Sequence, residues 1–423
     1  MTPELAAAVA AQTDFAADVF DRLRACSVDV RGVTRASYGE GEQAAHALMA
    51  DIARELGLEI DQDPAANTYM TLPGQDRSAP VRMVGSLLDS VPQGGNFDGA
   101  AGVVSGLTAI RALQQLGHQP KHDIRVMGVR AEESCWFGTS YIGSRSALGT
   151  LPDGALDTAT RADNGRSLAH HMAECGGDPD KLRDTAPYLD RARIGAFLEP
   201  HIEQGPVLVE EGFPVGVVTG IRGNRRFPNA RCIGEYAHCG GAPRRVRQDA
   251  VVAATEFVQA MDAEWDKAEA SGDDFACTIG MFQTDTERHA MTVISGNVKF
   301  SLDFRSVDPA FLLKMEARVP AIAAEIGAKR GVKFELGAMT RAAPGFMDQG
   351  LVETYRKAAA GMNVRAMDIP SGASHDSAAF ADAGVPTAML FIRNEHGSHN
   401  PDEAMEIPDF IEATKLLAAG LTA

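Results

Sequence analysis

The chain has 423 residues, of which 45% are hydrophobic and 23% are charged, and its formal net charge at pH 7 is -17. This composition is typical of a folded protein and excludes an intrinsically disordered one, and the length predicts two domains. The negative charge excludes nucleic acid and anionic membranes as main partners, because both require a basic surface.

The N-terminal segment and the cysteines indicate the cellular compartment. Residues 4–24 mix alanines with acidic residues at helical spacing and lack a basic leader before an apolar run. We therefore expect neither a secretory signal nor a membrane span there. The six cysteines are scattered without C-x-x-C spacing, which is typical of reduced thiols. These features predict a cytoplasmic protein.

A βαβ unit is predicted in the first third of the chain. Apolar runs at residues 81–84 and 124–129 indicate strands. Between them, residues 98–116 place apolar side chains at spacings of three and four behind a glycine-rich loop, which predicts a helix. The unit indicates an α/β fold with a mostly parallel sheet.

The middle of the chain differs in character. Short strand-like runs surround one long helical stretch at residues 247–268, which is typical of an inserted α+β unit. An apolar run at residues 387–392 then returns to the first sheet. We therefore predict one domain formed by residues 1–212 and 342–423 and a second, inserted domain formed by residues 213–341.

Side chains able to carry chemistry cluster in four separated motifs. The first reads GSLLDSVPQGGNFDG at residues 85–99, and the others read EES, HIEQGP and GSHNP. The EES motif follows the strand predicted at residues 124–129, and open α/β sheets place ligands at the carboxyl ends of their strands. The candidate catalytic and ligand side chains in these motifs are Asp98, Glu132, Glu133, His201, Gln204 and His399.

In this order the four motifs resemble the M20 family of dinuclear metal amidohydrolases. Within that family they are similar to the hydantoinase/carbamoylase branch, which includes N-carbamoyl-L-amino acid hydrolases, β-ureidopropionases and allantoate amidohydrolases. The likeness runs from Gly85 to Glu403. It implies a metal-binding catalytic domain, an inserted domain that serves as lid and dimerisation surface, and hence a homodimer.

The resemblance implies a set of metal ligands. Asp98 would bridge two divalent ions, zinc or manganese. Glu133 and His399 would complete one site, and His201 would belong to the other. The position that should add a second imidazole holds Leu87, which cannot coordinate a metal. Because a catalytic zinc site usually has three protein ligands, we expect one ion rather than two.

The resemblance also implies which residues act on the substrate. Glu132 would be the general base, and His238 would polarise the scissile carbonyl. Gln204 and Arg305 would contact the substrate, with Arg305 holding its carboxylate through two parallel hydrogen bonds.

Departures from the family pattern lie among these substrate positions. The run at residues 288–293 places His289 and Thr292 where the family has an amide-rich segment, and Thr292 replaces an amide that helps to hold the substrate. Arg244 replaces the usual methionine, and Arg393 lies in a polar run near the last motif. The added basic groups favour a substrate with an additional anionic group.

We therefore predict a metal-dependent hydrolase of a linear amide or ureido carbon–nitrogen bond in a small, anionic N-carbamoyl or N-acyl amino acid. Two alternatives stay open. One is a carbon–nitrogen lyase that uses Glu132 for proton transfer, and the other is a non-catalytic binder of an anionic metabolite. The retained acid cluster argues against the binder, because clustered carboxylates with perturbed pKa values usually mark catalysis.

Overall fold

The computed structural model describes residues 2–184 and 186–423. It divides the chain into two compact units. The first ends at Thr219 and resumes at Phe346, and the second spans Gly220–Gly345. Both boundaries lie a few residues after the predicted 212/213 and 341/342. The difference arises because the strand Val215–Ile221, which we expected in the inserted domain, pairs with the sheet of the first unit.

Strands and helices are numbered in chain order. The strands are β1 (Glu59–Gln62), β2 (Thr68–Leu72), β3 (Val81–Leu87), β4 (Ile124–Val129), β5 (Ile194–Ile202), β6 (Val215–Ile221), β7 (Gly223–Ile233), β8 (Ala237–His238), β9 (Ala276–Thr278), β10 (Phe282–Thr284), β11 (Val293–Ile294), β12 (Asn297–Ser306), β13 (Lys333–Glu335), β14 (Thr340–Ala342), β15 (Gly345–Phe346), β16 (Ala366–Ser371) and β17 (Thr387–Ile392). The helices are α1 (Thr2–Ala10), α2 (Thr13–Ala25), α3 (Glu40–Glu55), α4 (Ala100–Gln115), α5 (Ser134–Phe137), α6 (Ile142–Leu148), α7 (Ala155–Thr158), α8 (Leu168–Glu174), α9 (Pro179–Arg183), α10 (Val207–Glu211), α11 (Ala250–Ser271), α12 (Pro309–Arg330), α13 (Gln349–Met362), α14 (Asp376–Asp382) and α15 (Ile407–Thr422).

The first unit is built on one large sheet. Within the described ranges it has nine strands in the order β1-β2-β4-β3-β5-β17-β6-β15, with β16 beside β6. The central neighbours β4, β3, β5 and β17 run parallel. Strands β2 and β6 flank them in antiparallel pairings. The predicted α/β class with a mostly parallel core is confirmed, and the sheet is mixed because antiparallel strands extend it on both sides.

Helix α4 lies close to the sheet because glycines line its contact. A Cβ atom at Gly102 would lie 2.4 Å from the Pro200 carbonyl oxygen and 2.7 Å from Ser86 Cβ. One turn later, a Cβ atom at Gly106 would lie 2.9 Å from Val84 Cγ1. This packing fixes the start of α4, and with it the loop that precedes the helix, at the carboxyl end of β3.

The second unit has its own sheet and core. Strands β10, β12, β7 and β13 pair in that order, with β14 also on β7 and β9 also on β12, and these pairings are antiparallel. Helices α11 and α12 pack on this sheet around a buried apolar cluster. Strands β8 and β11 form a separate two-stranded ribbon. This is the α+β arrangement predicted for the insert.

Helix α11 begins three residues after the predicted start at residue 247. Residues 244–246 form a short 3-10 turn instead. The Asp249 side chain accepts hydrogen bonds from the backbone N–H groups of Val251 at 3.0 Å and Val252 at 3.3 Å. An acidic N-cap of this kind satisfies the first free N–H groups of a helix, so Asp249 sets the boundary.

Two further observations concern the described residues as a whole. All six cysteines there are free thiols. None of the helices in residues 2–184 and 186–423 is long and apolar enough to cross a membrane.

The close packing of α4 can be tested by adding a methyl group. We expect Gly102→Ala to lower the free energy of unfolding by about 1–3 kcal/mol, because overpacking forces helix and strand apart. The exposed Gly280 serves as the control, because a Cβ atom there would make only ordinary contacts, 3.9 Å from Thr278 Cγ2. There, Gly280→Ala should leave stability unchanged or raise it slightly, since alanine restricts the unfolded chain more than glycine does. Equal thermal midpoints for the two variants would mean that α4 can shift away from the sheet without lowering the free energy of unfolding.

Candidate active site

The loop before α4 presents Asp98 as a nearly buried carboxylate. Its Oδ2 atom accepts hydrogen bonds from Gln204 Nε2 at 2.8 Å and Ser398 Oγ at 2.5 Å. Its Oδ1 atom is buried and has no hydrogen-bond partner among the described residues, although His201 Nε2 lies 3.1 Å away. A buried carboxylate oxygen in this state is costly unless a cation or proton completes it.

Two further predicted ligands lie next to Asp98. His399 Nε2 is 3.4 Å from Asp98 Oδ2 and 3.3 Å from Glu133 Oε1. One ligand atom from each of the three residues lies within 4.8 Å of the other two. The three side chains follow β3, β4 and β17, whose carboxyl ends meet because these strands run parallel. Residues separated by about three hundred positions are thus brought together.

The chemistry of this cluster fits a divalent ion. Two carboxylates and one imidazole are donors that suit zinc or manganese. The backbone of His399 has a φ of 60°, in the left-handed region that residues other than glycine rarely adopt, and Gln204 has a φ of 62°. Strain of this kind concentrates at functional sites. We conclude that Asp98, Glu133 and His399 are the residues that could hold the metal.

His201 lies beside Asp98 but no complete second set forms. Its Nδ1 is 2.9 Å from the Ile202 carbonyl oxygen, which orients Nε2 towards Asp98. Leu87 is buried, and its Cγ lies 2.1 Å from where Gly99 would carry a Cβ. Within the described chain, His201 therefore has Asp98 as a neighbour but does not join a three-ligand group.

The charges in the cluster balance one another. Burial opposes ionisation of Asp98, but its close contacts with His201 and His399, and the charge of His201, hold its pKa well below the usual value. Burial also opposes the charge of His201, and Asp98 overcomes this and raises the His201 pKa to about 9. The pKa of His399 rises to about 9, first because of its contact with Asp98.

Asp89 holds the turn that carries the two glutamates. This buried carboxylate accepts the backbone N–H groups of Glu132 and Glu133, both at 3.1 Å, and the Ser37 hydroxyl at 2.5 Å. It therefore anchors the backbone of Glu132 and Glu133.

Glu132 and Glu133 share one buried patch of negative charge. Burial, followed by the charge of Glu133, raises the pKa of Glu132 well above its usual value. Burial and then Asp98 raise the pKa of Glu133 to about 7. A cation bound nearby would lower both pKa values, because it favours the ionised carboxylates. A carboxylate with a tunable pKa next to a metal-ligand set can serve as a general base.

A further residue, Glu403, supports the loop that carries Asp98. Glu403 is buried, and its Oε1 accepts the N–H groups of Phe97 at 2.9 Å and Asp98 at 3.2 Å. Its Oε2 accepts the Ser398 hydroxyl at 2.6 Å. The only sequence signal for Glu403 is that it ends the stretch of family likeness.

A second buried imidazole stands beside His201. The ring centroids of His375 and His201 are 4.3 Å apart, and His375 Nε2 lies 3.1 Å from Ser371 Oγ. The neighbouring Asp376 accepts the Ser144 hydroxyl at 2.6 Å. The four sequence motifs include neither His375 nor Asp376 and predict no role for them.

Two side chains near the site have defined partners. The indole Nε1 of Trp136 donates to the Ser90 carbonyl at 2.8 Å. Arg393 forms two hydrogen bonds with Asp409, at 2.8 and 3.1 Å. Asp409 thus offsets part of the positive charge of Arg393, and a contact of Arg393 with a second anionic group of the substrate stays a prediction.

In the second unit, three predicted substrate residues lie on or beside the β8–β11 ribbon. His238 pairs with Val293, and Cys239 N donates to the Thr292 carbonyl at 2.9 Å. The exposed His238 accepts the Gly240 N–H at its Nδ1, at 3.1 Å. In the neutral ring the proton is then on Nε2, where it can donate to a carbonyl. His289 lies 3.0 Å from Thr284 Oγ1 and lines a cavity of 590 Å³.

The two predicted arginines of this unit differ in their surroundings. Arg305, on β12, donates to both oxygens of Asp303 on the same strand, at 2.8 and 3.1 Å. Arg244 is exposed in the 3-10 turn before α11.

Comparison with known proteins identifies the family. The model of peptidase family M20/M25/M40 matches residues 83–423. An N-carbamoyl-L-amino acid amidohydrolase of Geobacillus stearothermophilus is 34% identical over 373 residues, which cover 88% of each chain. The allantoate amidohydrolase of Escherichia coli K12 is 32% identical, over 86% of this chain and 85% of that protein. A crystal structure of a hydantoinase/carbamoylase family amidase from Burkholderia multivorans aligns with a TM-score of 0.85 and 29% identity over 97% of both chains. The chain therefore belongs to peptidase family M20/M25/M40 and is a hydrolase of carbon–nitrogen bonds.

Proposed function

We propose that the protein hydrolyses a linear ureido or amide bond in a small N-carbamoyl or N-acyl amino acid, using one divalent ion. The observation that carries the proposal is the cluster of Asp98, Glu133 and His399 with Glu132 fixed beside it. The similarity to amidohydrolases of N-carbamoyl-L-amino acids and of allantoate supports a ureido substrate. The zinc or manganese identity of the ion, a homodimer and a cytoplasmic location belong to the same proposal.

The proposed mechanism uses Glu132 to move a proton. When bound, a divalent ion would polarise the scissile carbonyl and lower the pKa of a water molecule. Glu132 accepts a proton as the water oxygen bonds to the carbonyl carbon. It returns the proton to the nitrogen when the carbon–nitrogen bond breaks, so the products are the free amine and the acid.

Other residues are proposed to orient the substrate. The Nε2 proton of His238 is available to donate to the carbonyl oxygen, where negative charge develops. The amide of Gln204 and the guanidinium of Arg305 are proposed to bind the substrate, although Asp98 and Asp303 accept their hydrogen bonds in this structure. The remaining proposed substrate contacts in the second unit are Thr292, His289 and Arg244. The first unit is proposed as the catalytic domain and the second as the lid and dimerisation domain.

The reaction class is tested by isotope labelling. Manganese-loaded protein is incubated with an N-acetyl amino acid in water enriched in ¹⁸O, and with an N-carbamoyl amino acid in ordinary water. Hydrolysis places one labelled oxygen in the acetate, and releases amino acid from both substrates. An unsaturated product without labelled acetate would identify a lyase instead. Tight binding of both compounds without any product would identify a binding protein.

Glu132→Gln tests the general base. We expect kcat to fall by a factor of about 10² to 10⁴, because glutamine has the same shape but cannot accept the proton. The thermal midpoint and the metal content should stay near those of the unmodified protein. The matched control is Glu174→Gln on the exposed surface of α8, which should leave kcat unchanged. Full activity in Glu132→Gln would remove this residue from the mechanism.

Elemental mass spectrometry tests the number of ions. After manganese or zinc saturation and removal of loosely held ion, we expect about one ion per chain, since three ligands remain at only one site. Leu87→His should raise the number of ions per chain towards two, because it adds an imidazole to the Asp98 and His201 pair. Leu87→Met, which keeps an apolar side chain, is the control and should stay at one. Two ions in the unmodified protein would show that another residue replaces the missing imidazole.

A further inference from the structure

A fully buried arginine stands behind the candidate metal site. Arg35 has no exposed surface. In the part of the chain that the structure describes, its guanidinium donates only to neutral oxygens. These are the Leu88 carbonyl at 2.9 Å, the Asn96 carbonyl at 3.3 Å, Asn96 Oδ1 at 3.2 Å and Ser27 Oγ at 3.4 Å. Buried charges are rarely retained without a partner of opposite charge, so the balancing charge must lie slightly further away.

Three carboxylates supply this charge. Burial lowers the pKa of the Arg35 guanidinium, and the negative charges of Glu403, Asp89 and Asp98 act in the opposite direction. Asp89 and Glu403 are both buried and both accept two backbone N–H groups, so neither can turn away towards water. Burial raises the pKa of Asp89 and raises that of Glu403 to about 7, so a fixed positive charge beside them favours their ionised forms.

The hydrogen bonds of Arg35 also connect the two segments that shape the site. Leu88 follows Leu87 at the end of β3, and Asn96 precedes Asp98 by two residues. The backbone of Arg35 adds two bonds to Ser90: its N–H donates to Ser90 Oγ, and the Ser90 N–H donates to its carbonyl, both at 2.9 Å. One side chain thus bonds to both ends of the loop that carries Asp98.

We propose that Arg35 is the permanent counter-charge of the buried carboxylates Asp98, Asp89 and Glu403 and keeps the Asp98 loop in place before an ion binds. The inference rests on the proposed single-ion site. With Leu87 in place of an imidazole, we expect one bound cation rather than two. More of the negative charge of the acids must then be offset by a positive charge of the protein itself. Arg35 is a positioning residue, because it acts through Asp98 and its neighbours rather than on the substrate.

Thermal unfolding with and without manganese tests the proposal. Arg35→Met keeps most of the side-chain volume and removes the charge. We expect the metal-free variant to lose stability and manganese to restore much of it, so that the metal-induced rise in midpoint is at least about twice that of the unmodified protein. A residue that only fills space would lower both midpoints equally. An unchanged metal-induced rise would therefore overturn the proposal.

Arg35→Lys separates charge from shape. Lysine keeps the positive charge but cannot form the fork of hydrogen bonds to Leu88 and Asn96. We expect its metal-induced rise to stay near that of the unmodified protein, even if its overall stability falls. A lysine variant that behaves like the methionine variant would show that the hydrogen bonds, not the charge, hold the loop.

A double variant covers the case in which Arg35→Met does not fold. Adding Glu403→Gln removes one of the facing negative charges and keeps an acceptor for the N–H groups of Phe97 and Asp98. We expect this second change to restore folded protein in the Arg35→Met background, and to give no gain when made alone. Absence of rescue would overturn the counter-charge role. The rescue is measured without metal, so it stays decisive even if the unmodified protein shows no response to manganese.

Discussion

Burying several carboxylates in one place is the constraint on which the rest of this molecule depends. Each unpaired buried charge is costly, and like charges close together add repulsion. The structure meets the cost in three ways: imidazoles face Asp98 and Glu133, backbone N–H groups face Asp89 and Glu403, and Arg35 supplies a buried positive charge. Every loop at this edge of the sheet must therefore be held in a defined conformation.

The loop that follows Leu87 is tied to the turn that bears the two glutamates. Asp89 accepts the backbone N–H groups of Glu132 and Glu133. The indole of Trp136 donates to the Ser90 carbonyl in the same loop. Because these contacts hold the backbone of Glu132, they support the proposal that this residue acts as the general base beside a single ion.

Local patterns of the sequence predicted the parts of the fold that depend on local physics. The continuous apolar runs of β4 and β17 were placed at the bounds that the structure has, because strands buried on both faces leave a clear signal. The resemblance to the family implied Asp98, Glu133 and His399 as ligands, and the parallel strands bring these three side chains together at their carboxyl ends.

The features that the sequence did not predict have a different origin. Pairing between residues distant in sequence leaves no local pattern, so neither the strand β6 on the first sheet nor the ion pair of Arg393 with Asp409 could be read from the sequence. Arg35 was missed for the same reason, because the acids around it are distant from it in sequence. The start of α11 is different, because Asp249 is a visible capping residue whose signal was overlooked.

The position of β17 has a consequence for how the protein is made. This strand lies between β5 and β6 in the middle of the first sheet, yet it is encoded within the last tenth of the chain. During synthesis the ribosome therefore completes the entire second unit while the first sheet still has a gap with two open strand edges. Open edges recruit other chains, and distant pairings form slowly. We expect the first unit to be the part of the nascent chain that most needs protection by chaperones.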